Sequence, residues 1–217
     1  MRLGGRVRSH RFEWTAAIIA MTAAAGFAAL AWCLSLGALT TFDEATRAAM
    51  HSYADPVLTF LMRAVTLLGT QPAIIGITGG AAALLFLKDN RDGAWMISIA
   101  LIGAEILEVV LKVQFHRQRP EPFFDTVLPG SYSFPSGHAL FSLCVYGLLA
   151  WIVAPRLGGT GRWAVRIGAI ALILAIGASR VYLGVHHPTD VIGGYLVSVC
   201  WLATLLAIRG PVPATEP

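Results

Sequence analysis

The chain is 217 residues long, 56% hydrophobic and 13% charged, with a mass of 23.1 kDa and a mean hydropathy of +0.68. Soluble domains carry about 25% charged residues, so this chain lacks the polar surface of a soluble globule, and its apolar content excludes disorder. The formal net charge of +4 invites a nucleic-acid reading. The basic residues instead flank apolar runs and form no cluster with interleaved aromatics, which points to membrane orientation and to no nucleic-acid partner. The bilayer is the expected environment.

Residues 1–13 form a basic N terminus with Arg2, Arg6, Arg8 and Arg11. The apolar run from Trp14 to about Leu39 is longer than the roughly 20 residues a membrane-crossing helix needs, and longer than the roughly 7–15 of a signal-peptide core. Leu30-Ala31-Trp32-Cys33 resembles a lipoprotein cleavage site, but the bulky Trp32 argues against cleavage, so a retained first helix is predicted. A polar segment follows, with Asp43, Glu44, Arg47, His51 and Asp55. Pro56 to Leu68 is apolar, interrupted by Arg63 and too short to span, which predicts a short interfacial helix between helices one and two. Gly69-Thr70-Gln71-Pro72 breaks it.

Further spans are predicted at Pro72–Leu87, Gly93–Phe115, Gly137–Ala154, Trp163–Leu183 and Pro188–Ile208. The sum is an all-α bundle of six transmembrane helices. Residues 14–208 make a single membrane domain, followed by a tail at 209–217. Gly76, Gly79 and Gly80 are expected to allow close helix packing. Cys33, Cys144 and Cys200 lie in apolar stretches and read as small hydrophobes, without disulfide or metal spacing.

Six spans place both termini on one face. Ten of the sixteen basic residues fall on that face: Arg2, Arg6, Arg8, Arg11, Lys88, Arg91, Arg156, Arg162, Arg166 and Arg209. The positive-inside rule makes it the cytoplasmic face of the inner membrane.

Three clusters hold the reactive side chains: Lys112 to Arg119-Pro120, then Pro135-Ser136-Gly137-His138, then Ser179-Arg180 and, after five intervening residues, His186-His187-Pro188-Thr189-Asp190. They occupy the end of helix three, the start of four, the end of five and the start of six. In an up-down bundle those four ends share one face, here the extracytoplasmic one. The residue types point to phosphoryl transfer without a metal. Lys112, Arg119 and Arg180 offer cationic donors for phosphate oxygens, and Ser136 and Gly137 open a helix whose free N–H groups favour an anion. No carboxylate cluster suited to Mg²⁺ accompanies them, so no cofactor is expected. Asp190, in the first turn after Pro188, can reach one nitrogen of His186 and leave the other free to attack phosphorus. His138 is placed to protonate the leaving alkoxide and then to activate water.

Lys-x6-Arg-Pro, Pro-Ser-Gly-His and Ser-Arg-x5-His-x3-Asp resemble the three signature motifs of the type 2 phosphatidic acid phosphatase family, matching at every defining position between Lys112 and Asp190. The resemblance implies a membrane lipid phosphate phosphatase with a histidine nucleophile. Undecaprenyl diphosphate, phosphatidylglycerol phosphate and phosphatidic acid are the implied substrates, with no choice among them. The motifs are also similar to those of vanadium haloperoxidases, whose largely soluble character the hydropathy excludes. Alternatives are a phosphotransferase that passes the phosphoryl group to another lipid, and a transporter that uses the cations for recognition alone. Oligomeric state is left open.

Arg47, Arg63 and Arg117 read as topology anchors, and His51, His116 and His187 as interfacial or supporting residues. Ser179 either orients a neighbour or packs. Glu108, four residues before Lys112, either holds that lysine or, with Glu105, makes interhelical polar contacts. The linker between helices one and two and the Phe115–Phe134 loop are expected to select the headgroup.

Overall fold

The computed structural model describes residues 3–124, 128 and 130–209. Met1 and Arg2 of the basic N terminus, and residues 210–217 of the tail, lie outside the described residues. Eight helices follow in chain order among them: α1 Leu3–Ser35, α2 Thr40–His51, α3 Pro56–Leu67, α4 Gln71–Leu87, α5 Arg91–Phe115, α6 Gly137–Arg156, α7 Gly159–Tyr182 and α8 Pro188–Arg209. α6 is a single run of helix with a wide π turn at Leu143–Gly147 and a tight last turn at Ala154–Arg156.

Five helices are long and apolar enough to cross a membrane: α1 from Arg11, α5, α6, α7 and α8. The pair α3 and α4, bent by 50° at the break between them, makes a sixth when the two arms are counted as one span. α3 is therefore the first arm of a broken segment as well as the short helix expected after helix one. Its start is fixed locally: the Asp55 carboxylate accepts from the N–H groups of Val57 (2.8 Å) and Leu58 (3.1 Å), and Pro56 occupies the first turn.

The segment expected to be merely polar is helical. α2 buries Asp43 and packs against α7 and α8, so tertiary contacts, and not hydropathy, make it a helix.

α6 is the hub. It touches α4, α5, α7 and α8, and 61% of its most apolar window is buried, against 11% for α1, which packs along α8. The core joins Ile74 of α4, Met96, Ile97 and Ala100 of α5, and Leu140, Cys144, Val145 and Leu148 of α6. Lipid tails are as apolar as these side chains, so close packing and internal hydrogen bonds hold the helices together. Ser198 on α8 donates to the Leu140 carbonyl at 2.8 Å, and the Trp201 indole donates to the Ala100 carbonyl at 2.9 Å. At Gly194 of α8 an added Cβ would stand 2.6 Å from the Ser136 carbonyl oxygen, so the starts of α6 and α8 meet backbone to backbone.

The sequence reading placed close packing at the wrong glycines. A Cβ at Gly76, Gly79 or Gly80 would meet no atom of the described residues within 4 Å. Their run on α4 faces outward, whereas Gly103 lies against Trp201 and Gly193 against Phe134. All three cysteines are free, with Cys144 in the core.

Candidate active site

Four helix ends converge on one pole of the bundle: Lys112 ends α5, Ser136 to His138 start α6, Arg180 lies in the last turn of α7, and His186 precedes α8. Lys112, Arg119, Arg180 and His186 all lie within electrostatic reach of His138.

His186 is 2% exposed and Asp190 fully buried. The His186 Nδ1 lies 3.3 Å from Asp190 Oδ2, and Ser133 Oγ stands 3.4 Å from the same nitrogen while donating to Asp190 Oδ2. The other nitrogen, Nε2, is 3.0 Å from Nη1 of Arg119. A guanidinium only donates, so Nε2 carries the lone pair and Nδ1 the proton. Burial lowers the imidazole to about 4; Asp190 opposes the shift, and Arg119 and Arg180 add to it. His186 is thus a neutral base with its lone pair turned toward the cationic pole.

Asp190 takes more partners than the sequence spacing suggested. Its Oδ2 accepts from the His187 N–H at 2.8 Å, and its Oδ1 accepts from Arg117 Nη1 at 2.6 Å. Arg117 also pairs with Asp43 Oδ2 at 2.7 Å. Asp43 in turn accepts from the Thr189 N–H at 3.0 Å and the Thr189 hydroxyl at 2.7 Å. Arg117 is therefore no topology anchor. His116 closes α5 in the left-handed region (φ 49°), and the chain turns so that Arg117 points inward. Sequence reasoning missed Asp43, Arg117, Ser131 and Ser133. The Arg spaced two residues before Arg119 was the available signal, but an arginine near a helix end has several uses.

The cationic side is built from three elements. Arg119 donates through Nε to the Ser131 carbonyl at 2.8 Å and through Nη1 to the Val185 carbonyl at 3.1 Å, and its burial pushes the guanidinium below its ordinary value. Pro120, buried beside it, makes the loop rigid at that point. Arg180 donates to Thr66 Oγ1 of α3 at 2.8 Å. The Lys112 ammonium is 2.5 Å from Glu108 Oε1 and 3.4 Å from Ser131 Oγ.

Glu108 also reaches α6: the same oxygen would be 2.7 Å from a Cβ at Gly137. Glu108 thus holds Lys112, while the interhelical polar contact belongs to Glu105. Glu105 accepts from Gln71 of α4 at 2.7 Å. Ser179 donates to its own helix at the Ile176 carbonyl, 2.6 Å away.

Ser136 Oγ, His138 Nε2 and Arg180 Nε are buried on the cationic side with no hydrogen-bond partner among the described residues, as are Glu105 Oε1 and His187 Nδ1 nearby. A buried polar atom left unmatched is costly, so the three on the cationic side are the ones a polar ligand would satisfy. The break between α3 and α4 presses on this side, where a Cβ at Gly69 would stand 3.0 Å from His138 Cδ2.

Arg47 also differs from a simple anchor. Arg47 donates to the Glu121 carbonyl at 2.6 Å, lies 4.7 Å above the Phe123 ring, and so ties α2 to the loop after α5. His51 stacks on the same ring at 4.1 Å. Arg63 is exposed, 6.0 Å above the Phe124 ring. It lines a cleft of about 420 Å³ with Asp55, Thr59, Phe60 and Phe124, which joins the two segments expected to contact a headgroup.

Residues 93–212 match the PAP2 superfamily, which is more than half of the chain and contains all three motifs. The chain belongs to the PAP2 superfamily. It is 35% identical to the phosphatidylglycerophosphatase B of Bacillus subtilis strain 168, over 78% of this chain and 84% of that protein. It is 31% identical to an undecaprenyl-diphosphatase of Sulfolobus acidocaldarius, over 62% of this chain and 65% of the relative. The crystal structure of a transmembrane PAP2-type phosphatidylglycerolphosphate phosphatase from Bacillus subtilis superposes with a TM-score of 0.78 at 28% identity, covering 91% of this chain and 98% of that one. The crystal structure of Aquifex aeolicus LpxE shares the fold, with a TM-score of 0.54 at 20% identity over 77% of this chain and 95% of that one.

Proposed function

We propose that this membrane phosphatase hydrolyses lipid phosphates through a phosphohistidine on His186, at the extracytoplasmic face of the cytoplasmic membrane. One observation carries the reading. The lone pair of a buried, neutral His186 faces the same pole as Arg119, Arg180 and Lys112, where Ser136, His138 and Arg180 present unmatched polar atoms. Relatives named for phosphatidylglycerophosphate, undecaprenyl diphosphate and lipid A 1-phosphate support a lipid-borne substrate.

In this mechanism Arg119, Arg180, Lys112 and the backbone N–H groups at the start of α6 gather the nonbridging oxygens. His186 Nε2 attacks phosphorus, the bond to the lipid oxygen breaks, and His138 gives that oxygen a proton. Asp190 stabilises the charge that develops on the imidazole. A water then attacks phosphorus, its proton passes to His138, and the phosphorus–nitrogen bond breaks. The products are inorganic phosphate and the dephosphorylated lipid. Charge neutralisation rests on arginine and lysine, so turnover persists in a chelator and is inhibited by vanadate, a mimic of five-coordinate phosphorus. The excess of basic residues on the other face supports the extracytoplasmic placement of the site and cytoplasmic termini.

The test is phosphate release from purified phosphatidylglycerol phosphate, phosphatidic acid and undecaprenyl diphosphate by the wild type and His186→Ala, with EDTA present. Release that depends on His186 supports the reading. Release by His186→Ala refutes the nucleophile, loss in EDTA with recovery in Mg²⁺ refutes metal independence, and phosphate recovered on an acceptor lipid makes the enzyme a transferase.

A further inference from the structure

Arg117 occupies a variable position inside the first motif and stands outside the cationic cradle, yet it pairs with two buried carboxylates. One guanidinium nitrogen reaches Asp190 Oδ1 at 2.6 Å and Thr189 Oγ1 at 2.7 Å, and the other reaches Asp43 Oδ2 at 2.7 Å. Asp43 is 1% exposed, Thr189 1%, and Asp190 0%. Asp43 comes from α2, the amphipathic helix that hydropathy alone did not reveal, and Arg117 from the turn after α5. Two elements distant in sequence thus close on the carboxylate beside His186.

We propose that Asp43 and Arg117 form a positioning pair that sets the orientation and effective charge of Asp190, and through it the reactivity of His186. The proposal rests on the reading of His186 as the nucleophile. Asp190 divides its two oxygens: Oδ1 faces Arg117, while Oδ2 faces His186, Ser133 and the His187 N–H. Arg117 thereby fixes the carboxylate plane and takes up part of its charge. An unopposed carboxylate at that position would favour the protonated imidazole, which has no lone pair to attack phosphorus. Asp43 supplies the counter-charge that keeps Arg117 from leaving, and its grip on the Thr189 N–H and hydroxyl holds the first turn of α8 to the same point. The other charged or titratable groups facing His186 are Arg119 from the loop, Arg180 from α7 and His138 from α6, with His187 adjacent. Arg47 of α2 also stands within electrostatic reach of both Asp43 and Asp190, and it remains in each variant.

The experiment compares Arg117→Gln, Arg117→Lys and Asp43→Asn with the wild type, using a purified lipid phosphate monoester in detergent and thermal unfolding as a check on the fold. Arg117→Gln is expected to lower kcat by about 10–100-fold, as loss of a residue supporting a working histidine does, with KM unchanged. Its acid limb of kcat/KM should move toward neutral by about one pH unit; the substrate's own ionisation cancels in the comparison. Arg117→Lys, which keeps the charge, should restore the limb and part of kcat, and Asp43→Asn should show a smaller loss of kcat at constant KM.

A wild-type kcat in folded Arg117→Gln overturns the proposal, as does a loss of kcat with the acid limb unmoved. A rise in KM alone makes Arg117 a substrate contact and overturns it as well. If Arg117→Gln does not fold, Asp43→Asn and Arg117→Lys decide, and wild-type kcat in both overturns it. Failure of the underlying reading is distinguishable: His186→Ala would then still release phosphate, whereas if only the positioning pair is wrong, His186→Ala is dead and Arg117→Gln is normal.

Discussion

The two halves of the site are finished to different degrees. On the His186 side every polar atom of Asp190 is engaged, and the chain Asp43–Arg117–Asp190–His186 runs through contacts of 2.6 to 3.3 Å. On the opposite side Ser136 Oγ, His138 Nε2 and Arg180 Nε are buried and unmatched among the described residues. A group that attacks must be aimed before the substrate arrives, because any freedom left to it adds to the barrier. A group that receives a phosphate or a leaving oxygen must keep its hydrogen-bonding capacity in reserve. The difference teaches that hydrogen bonding is already complete around Asp190, and that the other half keeps polar atoms in reserve.

The largest effect that would sharpen this contrast comes from the nucleophile. His186→Ala is expected to lower phosphate release by at least about 10⁴-fold with unfolding temperature preserved, since loss of a nucleophile leaves only binding and electrostatic contributions. Residual turnover near wild type would show that the finished half is structural. Next in size, His138→Gln should cost about 10²–10⁴-fold on an alkyl phosphate, within the range of general acid–base catalysis. The loss should shrink on a p-nitrophenyl ester, whose leaving group needs no proton, and an equal loss on both would remove His138 from that role.

The pH profile tests the buried half directly. Burial holds His186 at about 4 against Asp190, so the neutral nucleophile persists well below the usual histidine range. The sign follows: as pH falls, the enzyme's own acid limb in kcat/KM appears near 4 and not near 6.5, once the substrate's ionisation is subtracted. A limb near 6.5 would mean that His186 is solvated before binding.

Two smaller changes probe the open half. Glu108 lies 2.5 Å from Lys112 and competes with phosphate for it, so Glu108→Gln should tighten vanadate binding by about fivefold, the scale of a partly exposed ion pair. Unchanged affinity would mean that Lys112 never leaves Glu108 for the ligand. Ser136→Ala, which removes one of several donors, should weaken vanadate binding by only about threefold, the net worth of one hydrogen bond. A much larger loss would make Ser136 a principal ligand of phosphate.

Part of this division was legible without coordinates. Lys112, Arg119, Ser136, Gly137, His138, Arg180, His186 and Asp190 sit at helix ends whose parity alone predicts a common pole, and the structure brings them there. Arg117 was invisible because its value lies in partners 73 and 74 residues away in sequence, at Asp190 and Asp43. α2 was read as a polar linker because what makes it helical is Asp43 held by Arg117 and Thr189, together with Arg47 held by the Glu121 carbonyl. The glycines of α4 misled for the opposite reason. Spacing on one helix shows that close approach is permitted, not that a neighbour is there.

By itself the sequence determined the membrane environment, a bundle of five to six crossings and the end of the bundle at which the motif residues collect. Hydropathy, run length and the alternation of direction are properties of consecutive residues, and every foldable arrangement of these helices must respect them. Only the tertiary structure decided that Arg117 serves Asp190 while Arg119 faces the free nitrogen of His186, and that Glu108 occupies Lys112. Those assignments depend on which charged groups burial forces together, since a buried charge must find its partner wherever in the chain that partner lies.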